Sequence, residues 1–295
     1  RGPGNTTILV RNHELSTSLP ASYNFGVSGA PRYSSTALGG TTTLVVRPNR
    51  EVARDFVSIA GTRTNCAGGP TPWGSWITCE ETFSDTNVKH GYCFEVPSTA
   101  TAPVDPVPLK AMGRFSHEAI AVDPRTGYVY ETEDRGDSCF YRFVPNVNGK
   151  LALGGALYAM KILGAPQNTT NNPTQGGIPG AYEVGASYPV EWVAIDNVDP
   201  VSESSSNANT PANVQNGLVS VRRQAQSKGA AVFFRGEGCW YGNDLVYFVA
   251  TQAGPPALGA TNGRGNGQVW AYDPRSERVT LVVEASSTGE LLDEP

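Results

Sequence analysis

The sequence predicts an all-β protein, a β-propeller of short antiparallel blades with long decorated loops, ahead of a β-sandwich. Three observations predict it. Short β-branched and aromatic runs recur along the 295 residues, each bounded by turn residues. Glycine (33) and proline (22) are frequent enough to supply a turn after nearly every run. Helical periodicity is almost absent.

The expected strands, in order, are TTILVRN (6–12), TTTLVVRP (41–48), WGSWITCEE (73–81), GYCFEV (91–96), EAIAVD (118–123), GYVYETED (127–134), CFYRFVP (139–145), AAVFFRGEG (230–238), LVYFVAT (245–251), GQVWAYDP (267–274) and VTLVVEA (279–285). Two stretches, 119–134 and 268–285, carry Asp-Pro between apolar runs, which reads as a tight turn between antiparallel strands. Residues 97–109 are proline-rich and read as an extended linker. Residues 164–190 read as a long surface loop. Residues 199–230 hold the one expected helix, around Val214 to Ser227. No linker divides the chain, so residues 1–295 read as one domain.

Composition excludes several functions. The formal net charge is −5 and the 22 basic residues are scattered, so there is no electrostatic footprint for nucleic acid. No apolar run is long enough to span a bilayer. The first residues, RGPGNTTILV, lack the apolar core of a secretory signal; an exported protein would already have lost it. Asn5 and Asn168 each begin a glycosylation sequon, so both are candidate glycan sites.

Acidic residues gather at strand ends: Glu14 in Asn12-His13-Glu14, Glu80 and Glu81 after Cys79, Glu118 after His117, Glu131, Glu133 and Asp134 in one run, and Glu237 near Arg235. Each alone reads as a solvated strand edge or an ion pair. Together they point to a cation, because carboxylates brought close raise one another's pKa. Hard cations take such oxygens, and a thiolate draws a softer metal. Five cysteines leave one over if four pair. Cys66 and Cys93 flank Cys79 and leave it free if they bridge; Cys139 and Cys239, each beside an aromatic residue, read as buried structural cysteines.

The blocks RNHE, GGTTTLVV, GTRTNCAGGPTPWGSWITCEET, HGYCFEV, MGRFSHEAIAVDPRTGYVYETEDRGDSCFYRFVP and FFRGEGCW resemble, in this order, the PhoX-type alkaline phosphatases. The resemblance implies a secreted, extracellular or periplasmic phosphatase acting on small phosphomonoesters. It implies a propeller whose central funnel holds iron (Fe3+) and calcium (Ca2+). Carried over, Cys79 is the bridging thiolate, and Glu80 or Glu81 a neighbouring ligand. Glu118, Glu131, Glu133, Asp134 and Glu237 supply further oxygens, Glu14 is a further candidate, and Arg235 faces the substrate phosphate. The family pattern continues with further blades past residue 295, so the propeller is expected to be incomplete at its C-terminal end. The competing expectation is a non-catalytic extracellular or filament-forming subunit on the same scaffold, self-associating through open sheet edges with NTTILVRN as a donated strand.

Overall fold

The computed structural model describes residues 2–16, 28–164, 182–204, 206–254 and 265–285. Among these, fifteen strands and two short helices form in the order β1 (Thr7–His13), β2 (Gly39–Val46), β3 (Val52–Thr62), β4 (Asn65–Pro70), β5 (Ser75–Glu80), β6 (Cys93–Pro97), β7 (His117–Val122), β8 (Val129–Glu133), β9 (Phe140–Pro145), β10 (Gly155–Ile162), β11 (Ser187–Ala194), α1 (Pro211–Gln215), α2 (Val221–Ser227), β12 (Gly236–Gly242), β13 (Leu245–Ala250), β14 (Gln268–Asp273) and β15 (Arg278–Glu284). The all-β class holds.

All strand pairs are antiparallel, in three sheets: β1-β2-β3, β4-β5-β6, and a nine-stranded sheet ordered β12-β13-β14-β15-β11-β10-β9-β8-β7. The large sheet is two meanders, β7 to β11 and β12 to β15, joined where β11 pairs with β15. It curls round on itself, because β12 packs back against β7 and β8.

Both Asp-Pro stretches are hairpins, β7–β8 and β14–β15. In each, the aspartate side chain accepts the backbone N–H two residues on, Arg125 to Asp123 Oδ1 and Arg275 to Asp273 Oδ1, both at 2.9 Å. Proline presets the intervening φ, so the turn is specified by two residues.

Three expectations change. The helix expected over 214–227 is two helices, broken at Gly217, which sits at φ 71°. The apolar residues before Arg235 lie outside the sheet ladder. Ala231 and Phe233 instead donate to the Met160 and Ser138 carbonyls while burying their side chains, and the strand starts at Gly236. The strand proposed for donation, β1, pairs along all seven residues with β2 of its own chain. Of the sequons, Asn5 is exposed and Asn168 lies outside the described residues.

Among the described residues, three apolar clusters fill the interior, the smallest around Ile59, Tyr92, Phe94 and Val96. Of the two larger, one gathers Ile77, Cys79, Cys93, Phe115, Tyr141 and Leu157 where the β4–β6 sheet meets β7 to β10. The other lies inside the large sheet around Phe140, Phe233, Phe248 and Trp270, with the Phe140 and Phe248 rings stacked at 3.8 Å. Buried aromatic side chains of this size dominate core energetics.

Candidate functional site

The site forms where β4 lies between β5 and β7. Glycine makes that possible. A Cβ on Gly68 would fall 1.9 Å from the Ile77 carbonyl oxygen, and one on Gly69 would fall 2.1 Å from that of Ile120. The pair lets three backbones approach and sets Cys66 of β4 beside Glu118 of β7. We expect Gly69→Ala to lower stability by about 1–3 kcal/mol through this overpacking, measured as a lower denaturation midpoint with unchanged slope.

Asn12 of β1 holds β4 in place. Its amide donates to the carbonyls of Cys66 and Ala67 at 3.0 and 2.7 Å, and its Oδ1 accepts Trp76 Nε1 and Thr78 Oγ1. The segment after β1 joins the same corner, since Thr64 donates its N–H to Leu15 O and Glu81 donates to Thr64 O. Glu14, Cys66 and Glu81 thereby place ligand atoms within 4.8 Å of one another. The Cys66 thiol donates to Glu118 Oε1 at 3.2 Å.

A charged group adjoins these residues. Arg235 donates Nε and Nη2 to the two oxygens of Asp134, each at 2.7 Å, and its Nη2 lies 2.9 Å from Glu237 Oε1. Its backbone is left-handed, at φ 53°. A non-glycine residue held there is strained, and such strain collects at functional sites.

The electrostatics are those of crowded acids. Burial, with the Glu237, Glu81 and Asp134 carboxylates nearby, pushes Glu118 up to about 8 against the hydrogen bond from Cys66. Burial and Asp134 push Glu81 up to about 7. Glu237 is raised by burial and Asp134, and the Cys66 thiol by burial and Glu118. Glu118 Oε2 is buried with no hydrogen-bond partner among the described residues. A cation would satisfy that oxygen and reverse these shifts, so the donor set fits bound metal. Glu118 binds its proton more tightly folded, from 4.5 up to about 8. Its stabilising protonation is therefore complete below pH 4.5 and lost as pH rises through about 8. Metal-stripped protein should melt at a falling temperature across that window, and added metal should flatten the profile in calorimetry.

Of the residues singled out from sequence, Glu14, Glu81, Glu118, Asp134, Arg235 and Glu237 come together here. Four go elsewhere. Cys79 is fully buried with its Sγ 3.6 Å from Cys93 Sγ. Glu80 turns inward and accepts from the Arg63, Gly91 and Tyr92 backbone N–H groups and from His90 Nδ1. Glu131 is buried beside His117, 3.2 Å from its Nδ1. Glu133 accepts from Arg222 Nη1 at 3.0 Å and from the Tyr141 hydroxyl at 2.6 Å. The cysteine beside the acids is Cys66, which the sequence offered only as a disulfide half. All five cysteines are free thiols, and Cys93 neighbours Cys79 rather than Cys66. The overlooked signal was Cys-Ala-Gly-Gly, a thiol ahead of paired glycines, which marks close backbone approach.

The family model for alkaline phosphatase PhoX matches residues 49–290, well over half of the chain. The chain belongs to the alkaline phosphatase PhoX family. A solved structure, Pseudomonas fluorescens PhoX in complex with vanadate, a transition state analogue, superposes with a TM-score of 0.61 at 19% identity, covering 95% of this chain. At that identity the likeness is one of fold, and it puts this chain among the β-propeller-like proteins. The chain spans 64% of that relative's length, less than two thirds. No curated protein matches the chain. Glu14 lies before the span matched by the PhoX family model; Cys66, Glu81, Glu118, Asp134, Arg235 and Glu237 lie within it. Among the described residues, no helix is long and apolar enough to cross a membrane.

Proposed function

We propose that this chain carries the metal-dependent phosphomonoesterase site of a secreted PhoX-family phosphatase, with its cleft open to small phosphoesters. One observation supports this above the others: a thiol and three carboxylates from β4, β7, β12 and the residue after β5 converge with Glu14, the residue after β1, in a chain of this family. Cys66, Glu14, Glu81, Glu118 and Glu237 would hold iron and calcium, which would polarise the phosphoryl group and activate an oxygen nucleophile.

The chain's own groups have separable roles. The Cys66 thiol donates to Glu118 Oε1, and both groups would have to release their protons to serve as metal ligands. Asp134 grips Arg235 through two parallel bonds, so the guanidinium arrives oriented. The remaining donors of Arg235 bind non-bridging phosphoryl oxygens and stabilise charge as it develops. Glu118 is itself buried, which strengthens the electrostatic interactions it makes.

The test is element analysis of the native protein with hydrolysis of a chromogenic aryl phosphate on the same sample. Iron and calcium should be present, and vanadate should inhibit competitively. Arg235→Lys keeps the charge but not the fork, and should cost on the order of 10²-fold in kcat. Folded protein that stays inactive after iron and calcium are restored would overturn the reading. The alternative, a non-catalytic subunit assembled by strand pairing between chains, loses one suggested donor strand, since β1 pairs with β2.

A further inference from the structure

A second group of ligating side chains lies behind the cleft, in the interior between β5–β6 and β7–β8. Cys93 Sγ is 3.4 Å from His117 Nδ1, and His117 Nδ1 is 3.2 Å from Glu131 Oε2. One ligand atom from each of the three falls within 4.8 Å of the others. Cys79 Sγ flanks them, 3.6 Å from Cys93 Sγ. All four side chains are fully buried.

Two features are out of place in an ordinary core. Glu131 buries a carboxyl whose Oε1 has no hydrogen-bond partner among the described residues, an arrangement that costs free energy unless something satisfies it. His117 donates Nε2–H to the Gly113 carbonyl at 3.1 Å, and Phe115 stacks on its ring at 3.7 Å. Nε2 is thereby the protonated nitrogen, and in neutral His117 the Nδ1 lone pair faces Cys93 and Glu131. Metal-binding histidines are held in this way, their other N–H on a carbonyl.

We propose that Cys93, His117 and Glu131, with Cys79 as fourth ligand, form a second, buried metal site that takes a zinc-class dication. A tetrahedral ion at ordinary zinc bond lengths sets its ligands about 3.8 Å apart for S···S, about 3.6 Å for S···N and about 3.4 Å for N···O. The corresponding distances here are 3.6, 3.4 and 3.2 Å. Cys79 lies directly opposite Cys93 in the β5–β6 ladder, the neighbouring thiol from which a fourth ligand would come. Two thiolates and an imidazole favour such an ion over calcium. With four protein ligands no position stays open to substrate, so the ion acts as a staple between the β4–β6 sheet and the large sheet.

The experiment uses the chain carrying Cys66→Ser, which removes the thiolate of the cleft. It is produced with zinc, dialysed against chelator and analysed for metal, then loaded with cobalt. We expect about one zinc per chain and a sulfur-to-cobalt charge-transfer band. Both should fall at least tenfold on adding Cys93→Val, a swap of similar volume, with folding checked by circular dichroism. Should that protein not fold, His117→Asn on the Cys66→Ser background gives the same reading. Any of three results overturns the site: no zinc in the folded Cys66→Ser protein, zinc undiminished by Cys93→Val, or a Cys79–Cys93 disulfide in peptide mass analysis.

Discussion

Under the proposed function, Cys66→Ala is expected to lower kcat/KM for an aryl phosphate on the order of 10³-fold, with iron content falling alongside. The thiol is half-buried, points at Glu118, and stands with Glu14 and Glu81 around a common point. Removing it takes away the one thiolate named for the site and leaves only oxygens, a set that no longer distinguishes iron from calcium by a sulfur ligand. The control is Cys139→Ala. Cys139 is buried in the apolar core, so its loss should lower stability by about 1–2 kcal/mol and leave kcat in place. Aryl phosphate kinetics and iron analysis on both proteins check this together. Equal activity in wild type and Cys66→Ala would remove the cysteine from the mechanism.

Arg222→Met should destabilise the fold by about 3–5 kcal/mol without changing iron per folded chain. Arg222 on α2 is buried and reaches Glu133 Oε1 at 3.0 Å, Asp137 Oδ1 at 2.8 Å and Glu203 Oε1 at 2.8 Å. Glu133 is fully buried, so loss of the guanidinium leaves a carboxylate without its counter-charge inside the protein. Burial already pushes the Glu133 carboxyl up, and Arg222 is the largest influence holding it down. Denaturant unfolding measures the cost, and metal analysis decides what Glu133 does. Iron lost in step with Arg222→Met, at full folding, would return Glu133 to the metal set.

The acidic residues of the cleft could be read in advance because each sits where an apolar run ends, as Glu118 and Asp134 do at β7 and β8. What could not be read was which neighbour turns outward. Along TCEE, three successive polar side chains go three ways: Cys79 into the apolar core, Glu80 into a cage of four donors, Glu81 into the cleft. Along HEA, a register shift between His117 and Ile120 sends His117 inward and Glu118 to the cleft. A period of two carries no information about bulges and strand ends, and there a single residue changes the face on which a side chain lies.

The sequence by itself determined the all-β class, the two Asp-Pro hairpins, the family and most of the acids, because these follow from local chemistry: alternation, turn residues, and blocks of residues in fixed order. Only the tertiary structure decided that Cys66 rather than Cys79 joins the acids, that Glu133 answers Arg222, and that β1 pairs with β2. Those outcomes rest on contacts between residues such as Cys66 and Glu118 or Glu133 and Arg222, 52 and 89 positions apart. Such contacts are set by how closely backbones can approach and which charges burial forces together, and both are properties of the packed sheets.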